Sequence, residues 1–479
     1  MKHPYPILLY LILLYLMPGC APSPGDVRET DALPPIYPDY VGVIVPENIA
    51  PLNFLLRDSC EALYVTVSSG DFEIKSHKRG NEAVFGLKDW KRLMETASGK
   101  DVRVTVTALK DGQWWRYRPF GIHVSEDEID EYLTYRLIEP DYEVFSRLQI
   151  VERNVSDFSE RVLCDHNNVG NRCMNCHTHA PKESDLSFLY VRGEGGGMVL
   201  NDHGSLRMLD FKTPDMVSGS VYAQFDPTGR YIVFSTNAII PAFHSCPDKR
   251  LEVFDTKSDV YVYDLKENRV VRSPLTADST RLETFPTFSA DGREIYYCVA
   301  DGPARPSRLD SLHYSLCRIG FDVVKGEFSN DVDTVVRGVA GNSVSHPRVS
   351  PDGRRLLYTV SDFGTFPIWH READLRMMDL ESGRIDSMGV VNSPMSDTYH
   401  CWSSTGRWFV FASKRDDGLY GKPYFAHVSE DGSVSKPFVL PQESPAFYDH
   451  NLKSFNVPDL GEVPVSITPT GVSATMLND

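Results

Sequence analysis

Basic side chains are in deficit in this chain of 479 residues. Lysine and arginine number 49 against 66 aspartates and glutamates, a formal net charge of −17. Nucleic-acid phosphates and anionic lipid surfaces both demand clustered Lys and Arg, so no nucleic-acid partner and no basic membrane patch is expected. Long apolar runs are missing after the first twenty residues, and none approaches the ~18 residues of a spanning helix. There is no Gly-x-Ser-x-Gly elbow with a following α/β domain, no Gly-rich phosphate loop and no His-Glu-x-x-His. Those absences point away from a hydrolase or nucleotide enzyme and leave a non-enzymatic role as the expectation. Cysteine is sparse, and its nine copies are an odd number that needs an explanation. What remains, 41% hydrophobic and 24% charged, is ordinary globular composition.

Residues 1–20 read as an address. Lys2 begins a short positive region, Ile7 to Met17 is apolar, and Pro18-Gly19 precede Cys20. This is signal-peptide grammar, and a cysteine after a small residue is where a bacterial lipoprotein would be cleaved and lipidated. The expectation is an exported protein held by a lipid on Cys20, facing the periplasm, with the outer membrane preferred. Residues 21–38, rich in Pro, Gly and acidic residues, read as a tether.

Residues 39–125 alternate as strands do, with Ala62 to Val67 and Val102 to Ala108 the clearest runs and Asp111-Gly112 a hairpin signal. Leu87 to Ala97 carries helical spacing. An immunoglobulin-like β-sandwich with one helix is predicted. Residues 126–185 read as a connector. Residues 123–160 hold eleven acidic residues and three arginines. That charge reads as a solvated face or as a dock for a basic partner.

Farther on the chain repeats itself. Gly229, Gly292, Gly353 and Gly406 each sit in a tight turn followed by an apolar strand, at spacings of 63, 61 and 53 residues. Four strands per unit at that period is a propeller blade, and one blade cannot bury both its faces. Residues 186–470 are therefore predicted to close into a six-bladed β-propeller, making the whole chain all-β. The residue seven before each glycine is Tyr222, Phe285, His346 or Tyr399, at the start of an innermost strand. His244, His346 and His400 are the candidate propeller site residues, although lone histidines at strand ends are also common structural groups.

Asn171 to His177 contains Cys-x-x-Cys-His. In c-type haem attachment two thiols take the vinyl groups and the adjacent imidazole ligates iron. Cys173 and Cys176 would hold a covalent haem c, with His177 on the iron. His166, His179 and His203 are the candidate sixth ligands. Zinc on Cys164, Cys173, Cys176 and a His, or a Cys173–Cys176 disulfide, are the competing readings.

The four turns, such as Ser350-Pro351-Asp352-Gly353-Arg354, resemble those of TolB-type propellers over residues 186–470. A wider resemblance joins Tyr135–Pro140, Cys173–His177, Phe243–Arg250 and Ser403–Tyr424 to Bacteroidetes-type lipoproteins combining a sandwich, a Cys-x-x-Cys-His segment and a propeller. It implies a cytochrome c-like haem. Two roles follow as expectations. One is haem-dependent electron transfer or redox sensing with a redox partner. The other is a propeller scaffold for protein–protein interaction in the cell envelope.

Overall fold

A hairpin at Asp111-Gly112 sets the register of the N-terminal unit. Both residues have positive φ, 50° and 73°, the conformation a two-residue turn needs to match strand twist. The computed structural model describes residues 22–139, 145–209, 212–246, 249–302 and 306–478. The chain is all-β and divides into two units. One comprises residues 22–42, 51–124 and 442–449; the other comprises 43–50, 125–441 and 450–478.

In the first unit Asp101–Lys110 is the central strand. One edge pairs with Ala62–Ser69, which pairs in turn with Phe72–Arg79; the other pairs with Gln113–Arg116 and Phe120–Ser125. Val27–Glu29 runs parallel to Gln113–Arg116. A small second sheet joins Ile36–Tyr37, Phe54–Leu56 and Glu82–Ala83. The helix Leu87–Ala97 buries Trp90, Leu93, Met94 and Ala97, the stripe its spacing predicts. The expected tether of residues 21–38 is partly structured here, because Val27–Glu29 and Ile36–Tyr37 are paired strands of this β-sandwich unit.

The second unit is a propeller of six four-stranded blades. Four begin with the predicted repeat strands Ser220–Phe225, Arg281–Phe288, Ser343–Val349 and Asp397–Trp402, each innermost in its blade. The other two correct the expected connector. Tyr132–Ile138, Gln149–Asn154 and Glu160–Asp165 form one blade with the C-terminal strand Ser454–Gly461 innermost. Met174–Ala180, Glu183–Val191, Gly197–Asp202 and Ser205–Leu209 form the next. The propeller thus starts near residue 132 and closes by pairing the two ends of the unit.

The acidic count concealed those first strands. Part of that charge is inward and paired: Glu152, 2% exposed, bonds Arg161 at 2.6 Å, and buried Arg153 meets Glu160 at 3.3 Å. Apolar partners Leu133, Ile150, Val151 and Leu163 complete the packing.

One turn recurs at the axial end of four blades. The first residue accepts a hydrogen bond from the amide five residues on: Tyr231 to Asp226 (2.7 Å), Glu294 to Ser289 (3.0 Å), Arg355 to Ser350 (2.9 Å), Trp408 to Ser403 (3.2 Å). The glycine in each has φ between 66° and 73°, where a side chain would be strained.

Candidate functional site

Where a regular strand would continue, four innermost strands slip register, between Val221/Gln224, Thr284/Thr287, Ser345/Arg348 and Thr398/Cys401. Inside each slip sits the residue seven before the repeat glycine. Tyr222, Phe285, His346 and Tyr399 all have φ between 49° and 51°. Val457 on the closing strand shares it, at 49°. A left-handed non-glycine residue costs on the order of 1–3 kcal/mol, so the packing around these bulges must hold them.

The bulges turn four rings toward one another. Tyr222 and Phe285 lie 4.2 Å apart between centroids, Phe285 and His346 3.9 Å, and His346 and Tyr399 4.9 Å edge-on. With Phe366 and Trp369 they form the apolar wall of an axial cavity of about 110 Å3.

Much of the remaining lining is polar. It carries Arg136, Arg192, Arg348, His177, His400 and Asp459. His177 is 5% exposed, and neither ring nitrogen makes a hydrogen bond of full geometry among the described residues. Burial pushes its pKa down to about 4; the carboxylate of Asp459 pulls upward and His179 pushes down. Burial likewise pushes His400 down to about 3, with Arg348 adding to it. The His400 Nε2 lies 3.0 Å from the Leu357 carbonyl, which places the proton on Nε2, and the Leu357 and His346 backbones both pull its pKa upward against burial. His346 is held well below its ordinary value by burial, then by Arg348 and His400. All three imidazoles are neutral at physiological pH.

Asp459 is the counter-charge. Burial pushes its carboxyl up, but the His179 ring, the Cys401 thiol, His177 and the His179 amide together hold it below the usual range. Cys401 Sγ donates to Oδ1 at 2.9 Å and the His179 amide to Oδ2 at 3.0 Å. Burial and that carboxylate push the Cys401 thiol well up, so it is not an activated nucleophile. Arg136, 6% exposed, donates to the Met174 carbonyl (3.2 Å) and Asn175 Oδ1 (3.0 Å); its Nε has no partner among the described residues.

A second chamber of about 450 Å3 lies toward the repeat turns, lined by Pro227, Ala290, Pro351 and Thr405. Gln224, Arg348, Cys401 and Asp459 line both chambers.

The sequence-predicted residues divide accordingly. His177, His346 and His400 converge on the axial cavity, and His179 lines the second chamber. His166 sits in the short turn His166–Val169, its Nδ1 facing the Leu148 amide at 3.3 Å. His203 is exposed between Glu183 (2.7 Å) and Asp202 (2.8 Å), which raise its pKa, Asp202 first. His244 lies on the strand Tyr231–Cys246, its side chain outside the described part. Cys20 also lies outside the described residues. Arg136, Arg192, Arg348 and Asp459 escaped sequence reasoning, because three different blades and the closing strand supply them.

The expected covalent haem c is overturned. Among the described residues no group of three or more His, Cys, Asp or Glu side chains is placed to hold a metal ion. The Cys-x-x-Cys-His segment is an inner strand, Met174–Ala180, with Met174 and His177 registered against Val191 and Leu189. Cys173 Sγ donates to Asn175 Oδ1 at 3.1 Å. The His177 ring faces a cavity of about 110 Å3, well below the roughly 300–1,000 Å3 of cofactor sites. Of the proposed sixth ligands, His166 and His203 are engaged elsewhere.

No helix among the described residues is long and apolar enough to cross a membrane. No family model matches the sequence, and comparison with curated proteins returns no match. Among solved structures, a puromycin-hydrolyzing peptidase of Mycobacterium tuberculosis aligns at 13% identity and a TM-score of 0.38, over 72% of this chain and 52% of that one. The chain thus spans about half the length of that peptidase. An oligogalacturonate lyase in complex with manganese gives 11% and 0.37, over 64% and 73%. A DUF4784 family protein from Bacteroides caccae gives 8% and 0.31, over 74% and 95%.

Proposed function

We propose that this protein is a TolB-like propeller scaffold of the cell envelope, anchored through a lipid on Cys20, that receives a partner or ligand at its axis. The observation that supports binding is the set of five left-handed residues around the cavity, the four ring-bearing ones and Val457. Separate blades hold Tyr222, Phe285, His346 and Tyr399 in the same costly backbone conformation around one cavity. Strain repeated at one place in a fold marks a site whose geometry matters. The one thiol among the described residues lining the cavity, Cys401, is pushed up rather than down and is not an activated nucleophile. Recognition therefore suits the cavity better than covalent catalysis.

Photo-cross-linking in cells tests this reading. Benzoylphenylalanine at half-buried Tyr222 or Tyr399 should capture a specific species in the membrane fraction. The same group at exposed Ile385, on an outer strand, should not. A Cys20→Ser variant should carry those adducts into the soluble fraction. Equal labelling from Ile385, or none from either tyrosine, would sink the binding reading; adducts unmoved by Cys20→Ser would sink the anchor.

A further inference from the structure

The axial cavity is positive inside a strongly acidic protein. With its three histidines neutral, its charged lining is Arg136, Arg192 and Arg348 against Asp459 alone, while the chain as a whole carries −17. From this we infer that the cavity binds the carboxylate of a small, flat or short-chained monocarboxylic acid, either free or as the C-terminal end of a peptide. The inference rests on the axial binding reading and names its ligand chemistry.

Arg136 carries the argument. The residue is 6% exposed and lines the cavity, and its guanidinium has only a carbonyl and an amide oxygen as partners among the described residues. A buried guanidinium without a carboxylate is costly, and its Nε–H has no acceptor there. His177 lines the same cavity; against burial, the Thr134 carbonyl pulls its pKa up, and neither ring nitrogen makes a hydrogen bond of full geometry among the described residues. A guanidinium offers a planar fork of donors that matches a carboxylate, and the neutral imidazole of His177 adds a donor to the same lining.

The remaining features narrow the ligand. Phe285, Tyr399, Phe366 and Trp369 share the lining with these donors, an apolar surface suited to a hydrocarbon or a ring. The volume of about 110 Å3 is near that of engineered cavities of about 150 Å3 that hold benzene. Asp459, held ionised on the same lining, opposes a second negative charge. A planar monoanion fits this balance; a phosphate dianion does not.

Calorimetric titration of the full exported chain tests the inference with paired probes. Benzoate is compared with benzamide, N-acetylphenylalanine with its amide, and inorganic phosphate serves as the competing anion. The acids should bind about tenfold or more tightly than their amides, the margin of a charged hydrogen bond. Arg136→Gln should erase that margin while leaving amide binding alone. If that variant fails to fold, Arg348→Gln must reduce the margin instead. Preference for N-acetylphenylalanine over benzoate assigns the source to a chain terminus, and the reverse to a free acid. Amides or phosphate binding as tightly as the acids, or no binding of either acid at millimolar concentration, would overturn the inference. Persistent cross-links from Tyr399 in that case would remove the carboxylate and leave axial binding standing.

Discussion

At the scale of single residues, the axial site is a store of neutral imidazole. His177 and His400 titrate in the folded protein at about 4 and about 3, chiefly because burial disfavours their charged forms. An unfolded histidine titrates near 6.5. The folded state therefore binds fewer protons between those values. The stability this contributes is complete above about pH 6.5 and is lost as pH falls toward 4. For His177 alone the loss is roughly 3 kcal/mol across that window. Urea unfolding at pH 7 and pH 4.5 should show it, and His177→Gln should flatten the slope. Two buried carboxyls act in the opposite direction. Burial raises Asp255 to about 7, against bonds from Asn237 and Tyr314, and raises Glu283 to about 8, with Asp259 adding to it. Their stabilisation is present at low pH and is lost as pH rises through those values. Glu283→Gln should therefore reduce the alkaline fall in melting temperature between pH 6 and pH 9. An unchanged alkaline limb would show that Glu283 is not the titrating group.

At the scale of elements, the repeat turn and the bulge work together. The turn fixes where each innermost strand reverses, and the bulge a few residues earlier fixes which side chain faces the axis. Gly353 has φ of 71°, and a Cβ there would sit 3.4 Å from Ala290 of the neighbouring blade. Gly353→Ala should cost about 1–2 kcal/mol from the backbone alone. Read by urea titration, a change under a few tenths of a kcal/mol would mean the turn tolerates a side chain. This local chemistry was legible in the chain because glycine spacing counts the blades directly. The inner-strand positions of Tyr222, Phe285, His346 and Tyr399 followed from the same count. The segment around Cys173 and His177 misled for the opposite reason. Its spacing fits haem attachment, but pairing with Glu183–Val191 makes it an inner strand. Short motifs report spacing, and strand pairing decides which way the side chains face.

At the scale of the molecule, closure is the decisive feature. The first blade needs Ser454–Gly461 from the end of the chain beside Tyr132–Ile138, with Leu133 opposite Leu460 and Thr134 opposite Asp459. That strand also delivers Asn456 and Asp459 to the axial cavity. A chain ended at Lys453 should lose both the ring and the site. Its expected behaviour is rapid proteolysis within residues 132–165 and loss of a single cooperative unfolding transition. Retention of native protease resistance would show that the remaining blades close without it.

The amino-acid sequence by itself determined the all-β class, the repeat turns, four of the blades and two of the axial histidines, His346 and His400. These are local matters: glycine at a left-handed turn, alternation along a strand, and a constant offset between turn and inner strand. Tertiary structure decided the rest. It set where the ring closes, buried Glu152 and Arg153 against the exposed partners Arg161 and Glu160, and made an inner strand of most of a haem-like motif. It also gathered arginines from three blades around one cavity. Ring closure depends on a pairing between residues more than 300 positions apart, Thr134 and Asp459, and no local pattern encodes which distant strand will complete a sheet.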